Sequence, residues 1–271
     1  MYGILDNLDH VNLELDFDDA VFATSFYAPP PPESEIDINT YIYSKEFNCP
    51  VCRAKFTAAV VRQSRLRLTH MEELRPVYKD FEPLCYDVMM CVNCGYAAFR
   101  ERFDVVSEKQ QEILLEKIRL NYSNFMPATF PLEINPMQAI ELYKYALLTA
   151  CIKKTSMGEK AMLLIKISWL YEILGDERNV LFYTKHANEA LTEAYSTERF
   201  PIFGMSEGAV SYMLASFATT LGNYQTALKF LSEIIVNKNM STRLRDLSRD
   251  LKEKVQKLRK EAGETEENDP E

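Results

Sequence analysis

The chain has 271 residues, of which 47% are hydrophobic, and its formal net charge is −9 at pH 7. This length allows one large core or two modest ones, and a change of texture near residue 105 favours two domains. Because the sequence has no apolar run of eighteen residues, and has acids where a signal peptide would be basic, we expect a cytoplasmic protein with no membrane partner.

The first segment is acidic and ends in a run of prolines. Residues 1–46 contain ten Asp and Glu against the single Lys45, which accounts for the whole net charge. Pro29 to Pro32 then form a stretch that prefers extended polyproline II geometry. We therefore predict an acidic arm and a proline-rich spacer over residues 1–39.

The next segment has the texture of short β-strands. Thr40–Tyr43 and Phe56–Val61 are rich in β-branched and aromatic residues, and Tyr86, Val88 and Met90 alternate with other residues. Few residues here indicate a long helix. We predict a small β-rich domain over residues 40–104.

Two CxxC pairs are the strongest chemical signal of this segment. Cys49 and Cys52 form the first pair, Cys91 and Cys94 form the second, and 38 residues lie between the two pairs. Four thiolates at this spacing are the ligand set of a tetrahedral zinc site, and iron is the alternative metal for sulfur ligation. Because four protein ligands leave no open position, we expect a structural zinc-ribbon-like site without catalysis, in which the metal joins two β-hairpins.

Two cysteines lie outside the CxxC pairs, and a redox role is the rival of metal binding for the pairs themselves. Cys85 and Cys151 have no CxxC partner and are expected to be ordinary buried thiols, since the cysteine usage indicates reduced thiols. Thiol redox catalysis at Cys49 or Cys91 is a rival hypothesis. It is disfavoured because both pairs flank predicted strands, whereas a thioredoxin-like CxxC begins a helix.

A local basic patch lies between the two CxxC pairs. Residues 53–79 contain seven Lys and Arg against two Glu. Leu66 and Leu68 alternate with arginines, which predicts a strand with buried leucines and a solvated arginine face. The alternative is a nucleic-acid contact through Arg62, Arg65 and Arg67. The overall pI near 5.1 disfavours this alternative.

Helical spacing begins after the β-rich segment. Ser107 with Gln110 predicts a capping box, and Asn135 followed by Pro136 predicts a second helix start. We predict an all-α domain over residues 105–262 and a disordered acidic tail over residues 263–271.

Two similar turn sequences organise the helical domain. Leu174-Gly175-Asp176-Glu177 and Leu221-Gly222-Asn223-Tyr224 lie 47 residues apart, and in each the glycine predicts a C-cap and Asp176 or Asn223 an N-cap. After the second turn, Tyr224 to Ile234 follows the large-small-large order of a tetratricopeptide repeat. The domain therefore resembles irregular tetratricopeptide repeats, with ordinary helical hairpins as the alternative.

Two further patterns in this domain have a structural interpretation. Gly204 to Gly208 matches the GxSxG motif of hydrolases around Ser206, but all three histidines precede it, so we predict a helix start. Apolar residues recur at three- and four-residue steps, at Leu244, Leu247, Leu251, Val255 and Leu258. This pattern predicts a helix that caps the repeat stack, and a dimerising coiled coil is the alternative.

A distinctive string of residues surrounds the two CxxC pairs: Cys49-Pro50-Val51-Cys52, Phe56, Arg62, Arg65, Arg67, Pro76, Tyr78, Pro83, Tyr86, Val88, Cys91, Cys94, Gly95, Tyr96, Ala97 and Ala98. With this string, the chain resembles the bacterial DUF2225 family of uncharacterised proteins over roughly residues 45–240. The differences are Glu72 and Glu73, where aspartates are expected, and Val92, where proline is expected. The resemblance implies a helical, repeat-like region after the cysteine segment but no activity.

The sequence thus predicts an α+β protein, with a Cys₄ zinc-ribbon-like domain followed by a tetratricopeptide-like domain. Its expected function is that of a non-enzymatic scaffold whose helices bind a protein or peptide. A nucleic-acid-associated zinc ribbon and a thiol redox protein are the alternatives.

Overall fold

The computed structural model describes residues 37–118 and 131–263. Most of the predicted acidic arm and acidic tail lies outside these residues. The described part is α+β, with a strand region that carries the cysteines and a helical region after it, as the sequence predicts. In the described ranges, no helix combines the length and the apolar character that crossing a membrane requires.

The strand region consists of three antiparallel hairpins within the described residues. The first pairs β1 with β2, the second pairs β3 with β4, and the third pairs β5 with β6. Each hairpin is a separate two-stranded sheet, so their packing depends on side chains and turns. The strands are β1 Ile42–Asn48, β2 Lys55–Val61, β3 Leu68–Glu72, β4 Arg75–Tyr78, β5 Val88–Met90 and β6 Ala97–Phe99.

The predicted strand through the basic patch is wrong. Gln63–Arg65 forms a 3₁₀ turn, so the chain cannot alternate across this segment, and β3 begins only at Leu68. Leu66 is half-buried, whereas Leu68 is 57% exposed at the start of β3, which pairs with β4 alone within the described ranges. The leucines therefore do not share a buried face.

Seven helices follow the strands in the described ranges. Consecutive helices from α2 to α7 pack against each other. Three-residue connections join α2 to α3, α3 to α4 and α5 to α6, which makes these pairs tight helical hairpins. The helices are α1 Glu108–Lys117, α2 Pro136–Lys153, α3 Met157–Ile173, α4 Glu177–Thr197, α5 Glu207–Thr220, α6 Tyr224–Val236 and α7 Thr242–Glu261.

Most predicted helix starts are confirmed. The side chains of Ser107 and Asn135 accept hydrogen bonds from the backbones of Gln110 and Gln138, and both sites are complete capping boxes. Ser206 caps α5, so the GxSxG match is a helix start.

The two helix-to-helix turns form at the predicted positions. Gly175 and Gly222 have φ values of 69° and 77°, the left-handed conformation that glycine tolerates. Asp176 caps α4 by accepting from the Asn179 backbone. The Asn223 side chain makes no capping hydrogen bond, contrary to the prediction. The first N–H of α6, from Tyr224, donates to the Gly222 carbonyl instead.

Helix α2 is the centre of the molecule. Its buried residues contact β5, β6, α1 and α3, so it packs against both the strands and the other helices. One continuous hydrophobic core runs from the hairpins through α2 to α5. A second, smaller core joins α5, α6 and α7, and it places Leu251 and Val255 of the last helix against α6, as predicted for a capping helix. The tetratricopeptide likeness and the division near residue 105 stay predictions.

Candidate metal centre

The four predicted ligands lie together in the structure. Cys49 and Cys52 lie in the turn between β1 and β2, and Cys91 and Cys94 lie in the turn between β5 and β6. Their sulfur atoms are all within 4.8 Å of one another. Both CxxC pairs are therefore hairpin turns that flank strands, as predicted, and neither begins a helix.

The two turns have the same backbone construction. In each, the residue four places after the first cysteine donates its N–H to that cysteine's carbonyl: Arg53 to Cys49 at 2.9 Å and Gly95 to Cys91 at 2.8 Å. Arg53 and Gly95 also share a positive φ, of 62° and 77°. The sequence shows the glycine but not that Arg53 adopts the same conformation.

The distances between sulfur atoms suit metal coordination. Cys49 and Cys94 are 3.7 Å apart at Sγ, and Cys52 and Cys91 are 3.6 Å apart. A tetrahedron with metal–sulfur bonds of about 2.3 Å has edges of about 3.8 Å, whereas a disulfide is only about 2 Å long. All four thiols are free. The arrangement is thus a Cys₄ cluster that could hold a metal ion.

Burial and hydrogen bonds perturb these thiols strongly. Hydrogen bonding from Cys49 holds the pKa of Cys91 far below its usual range, whereas hydrogen bonding to Cys49 and burial raise the pKa of Cys94. One thiolate is therefore stabilised by its protonated neighbours. Further thiolates repel it, so a cation is the natural partner for the fully deprotonated set.

Neighbouring donors support the cluster. The Val51 backbone N–H is 3.4 Å from the Cys49 sulfur, and the Asn93 side-chain amide donates to the Cys52 sulfur at 3.2 Å. Such donors favour the thiolate form of a ligand. Asn93 was not predicted, although its place inside the second CxxC pair is a signal that could have identified it.

Helix α1 connects the cluster to the helical region. The Gln111 side chain donates to the Val51 carbonyl at 2.8 Å, which anchors the first CxxC turn. Cys52 is the only half-buried ligand, the other three being buried. It borders a cavity of about 380 Å³, whose lining is Val51, Cys52, Arg53, Asn93, Gln111, Glu112 and Leu115.

The other two cysteines lie outside the cluster. Cys85 and Cys151 are 2% and 4% exposed, and burial raises the pKa of each thiol, that of Cys151 to about 12. Both are buried thiols, as predicted. Neither is among the grouped ligands found in the described ranges.

The three arginines of the nucleic-acid alternative are exposed and do not line the cavity beside the cluster. Arg62, Arg65 and Arg67 are all exposed, and the Arg62 guanidinium lies over the Tyr43 ring at 4.8 Å. Arg100 is a half-buried arginine that the sequence did not single out. Its guanidinium donates to the carbonyls of Ala59 at 2.6 Å and Tyr86 at 3.1 Å, which joins β2 to the segment before β5.

Comparison with known proteins agrees with the resemblance seen in the sequence. The DUF2225 family, described as an uncharacterized protein conserved in bacteria, matches residues 42–255, and the chain belongs to this family. The match includes all four clustered cysteines and the helices through most of α7. Neither the curated proteins nor the solved structures contain a significant match.

Proposed function

We propose that this chain is a cytoplasmic, non-enzymatic protein in which a structural Cys₄ zinc site holds two hairpins together and the helical region binds a protein or peptide. The observation that carries the proposal is the convergence of four sulfur atoms within 4.8 Å. Four thiolate ligands complete a tetrahedral zinc sphere and leave no position for substrate. The metal then contributes folding free energy.

Elemental analysis of purified protein tests the metal proposal. We expect one zinc per chain and no visible absorption, whereas an iron–thiolate site is coloured. Iron purified from cells grown with both metals available would replace zinc in the proposal. Absence of metal, with cysteines that cycle between thiol and disulfide, would favour the redox alternative.

The partner proposal is supported by apolar side chains at one helix-to-helix turn. Ile173 and Leu174 at the end of α3, and Leu181 in α4, are 38%, 40% and 47% exposed. The three positions lie within nine residues of one another around the α3–α4 turn, and exposed apolar side chains that form one patch are typical of protein interaction sites. The double change Leu174→Asp and Leu181→Asp is expected to abolish partner capture. Val236→Asp, at another exposed apolar position, is the matched control.

The exposed arginines favour a second candidate function, a nucleic-acid contact. Arg62, Arg65 and Arg67 lie within six residues of one another and are all exposed. Phosphate binding by arginines weakens as salt is raised. Salt-dependent binding of DNA or RNA that is lost on changing the three arginines to glutamine would support this function, and retained binding would contradict it.

A further inference from the structure

A cavity lies at the contact between the β3–β4 hairpin and helix α3. Its volume is about 120 Å³. It is separate from the cysteine cluster, and none of the residues considered above as ligands lines it. The lining consists of Gln63, Leu66, Arg75, Pro76, Tyr78, Glu82, Pro83, Leu84, Asp87, Lys166 and Trp169.

The size of the cavity fits one small ring. Pockets for drug-sized ligands are usually about 300 Å³ or more, whereas a cavity of about 150 Å³ holds benzene. A volume of about 120 Å³ therefore has room for a single five-membered side-chain ring.

Most charges of the lining are paired within the protein. Lys166 pairs with Asp87, and Arg75 pairs with Glu72 and, at 3.6 Å, with Glu172. The remaining carboxyl group, that of Glu82, accepts the Leu84 backbone N–H at 3.0 Å, and burial raises its pKa. A charged occupant would lie beside a lining residue of its own sign, whereas an uncharged occupant would not.

The remaining lining suits a proline-rich strand. Aromatic grooves bind polyproline II segments, whose carbonyls are free to accept hydrogen bonds. Gln63, Tyr78 and Trp169 supply side-chain N–H and O–H donors. Across residues 37–118 and 131–263, these three side chains form no hydrogen bond with the protein.

A proline-rich segment of the same chain lies just before the first described residue in the sequence. Pro29 to Pro32 precede Asp37, the first described residue, by five residues, a reach of up to about 17 Å. Four residues after Asp37, the Tyr41 carbonyl accepts a hydrogen bond from the Arg62 N–H at 2.7 Å, so this part of the chain lies beside Arg62. The next residue, Gln63, lines the cavity.

The sequence after the prolines complements the surface beside the cavity. Glu33, Glu35 and Asp37 follow the prolines, and the exposed Arg62, Arg65 and Arg67 flank or lie between the lining residues Gln63 and Leu66. If a proline docks in the cavity, the carboxylates of the acidic residues that follow it would lie near these guanidinium groups. Such exposed pairs add orientation more than free energy.

We propose that residues 29–36 dock on this surface, with a proline ring of Pro29–Pro32 in the cavity beside Trp169 and the following acids on the arginines. The site is therefore a proline-recognition site that the chain occupies itself. This inference does not depend on whether the cysteine cluster binds metal.

The fluorescence of Trp169, the single tryptophan of the chain, reports directly on the site. In the full chain with bound metal, we expect a docked proline to shield the indole from acrylamide. Replacing Pro29–Pro32 by four serines should raise the quenching constant about twofold, the change expected when one open face of a half-buried ring becomes accessible. An unchanged quenching constant would overturn the proposal.

A peptide added to the serine variant provides the complementary test. A peptide of residues 27–37 should restore shielding, whereas the same peptide with alanine in place of the four prolines should not. In the full native chain, the peptide should not change the quenching of Trp169 up to about millimolar concentration. The reason is that a short tether gives the chain's own prolines an effective concentration of that order. Equal responses to both peptides would overturn proline recognition.

A pair of neighbouring leucines supplies the matched site control. Leu66→Ser changes the cavity wall, and Leu68→Ser changes an exposed position outside the lining. In the full chain, only Leu66→Ser should increase quenching of Trp169. Circular dichroism shows whether each variant folds. If both variants fold and the quenching constant of Trp169 rises equally in both, the proposed site is contradicted.

Discussion

Cys94 contributes one of the three buried sulfur atoms of the cluster and is 2% exposed. Its removal leaves three thiolates and an incomplete coordination sphere. Cys151 is the natural comparison, because it is also a buried thiol, at 4% exposed, but lies in α2 outside the cluster. The two positions separate the loss of a ligand from the loss of a packed side chain.

Cys94→Ser is expected to reduce metal content from one ion per chain to well below one, and to lower the free energy of unfolding by several kcal/mol. The reason is that structural zinc sites supply about 10 kcal/mol or more of apparent binding free energy. Cys151→Ser should keep its metal and cost only about 1–3 kcal/mol for a buried hydroxyl. Elemental analysis and urea denaturation measure both quantities, and equal metal content in the two variants would contradict the assignment.

The Arg100 guanidinium joins the first hairpin, at Ala59, to the segment before the third, at Tyr86. Arg100→Ala leaves the carbonyls of Ala59 and Tyr86 without this donor, and we expect a loss of about 2–4 kcal/mol in the free energy of unfolding. Lys55→Ala, which removes an exposed ion pair with Glu46, should cost less than about 1 kcal/mol. Urea denaturation compares them, and a similar loss in both variants would show that Arg100 is not a structural link.

At the scale of single elements, α3 begins against the loop that precedes α5. The Gly158 N–H donates to the Glu198 carboxylate at 2.8 Å. A Cβ at position 158 would lie 2.5 Å from Cγ2 of Ile202 and 3.0 Å from the second Glu198 oxygen. Ile202 is 1% exposed and cannot move aside easily. Close packing therefore requires glycine at this position.

Gly158→Ala is expected to lower the free energy of unfolding by about 1–3 kcal/mol through overpacking, although alanine favours helix by about 1 kcal/mol. Ile202→Ala removes the clashing Cγ2 atom. In that background, the same glycine change should cost nothing or stabilise the protein. A double-mutant cycle measures the coupling, and additive effects would contradict the close contact.

Local sequence signals predicted most of the helix caps, although the Asn223 side chain does not cap α6. The caps at Ser107, Asn135 and Asp176 need only residues within three positions, and all three form. The predicted strand through Leu66 and Leu68 was wrong because Gln63–Arg65 forms a 3₁₀ turn and β3 begins only at Leu68, which alternation of residue types does not reveal. The Cys₄ set was predictable from spacing, whereas Arg100 was not, because its carbonyl partners are 41 and 14 residues away.

At the scale of the whole molecule, the cysteine cluster and the helices share one core. Cys49, Cys91 and Cys94 belong to the same buried cluster as the centre of α2. Hydrogen bonds also cross from strands to helices, including one from the Tyr143 hydroxyl to the Leu84 carbonyl at 3.0 Å. Loss of the metal should therefore destabilise the helices as well as the hairpins.

Removal of the metal with a chelator is expected to lower the temperature of unfolding for the hairpins and for helices α2 to α5 together. The physical reason is that a continuous core unfolds cooperatively. Calorimetry combined with Trp169 fluorescence follows this change, since Trp169 lies in α3. Cys94→Ser treated with the same chelator is the control and should not shift further. If the unfolding temperature reported by Trp169 fluorescence does not change on metal removal, the hairpins and the helices unfold separately.

X-ray absorption at the metal edge of the purified protein tests the central claim most directly, because it counts the atoms bound to the ion. The account predicts four sulfur neighbours at about 2.3 Å from one zinc per chain. A first shell that contains nitrogen or oxygen, or cysteines that bind no metal, would contradict it.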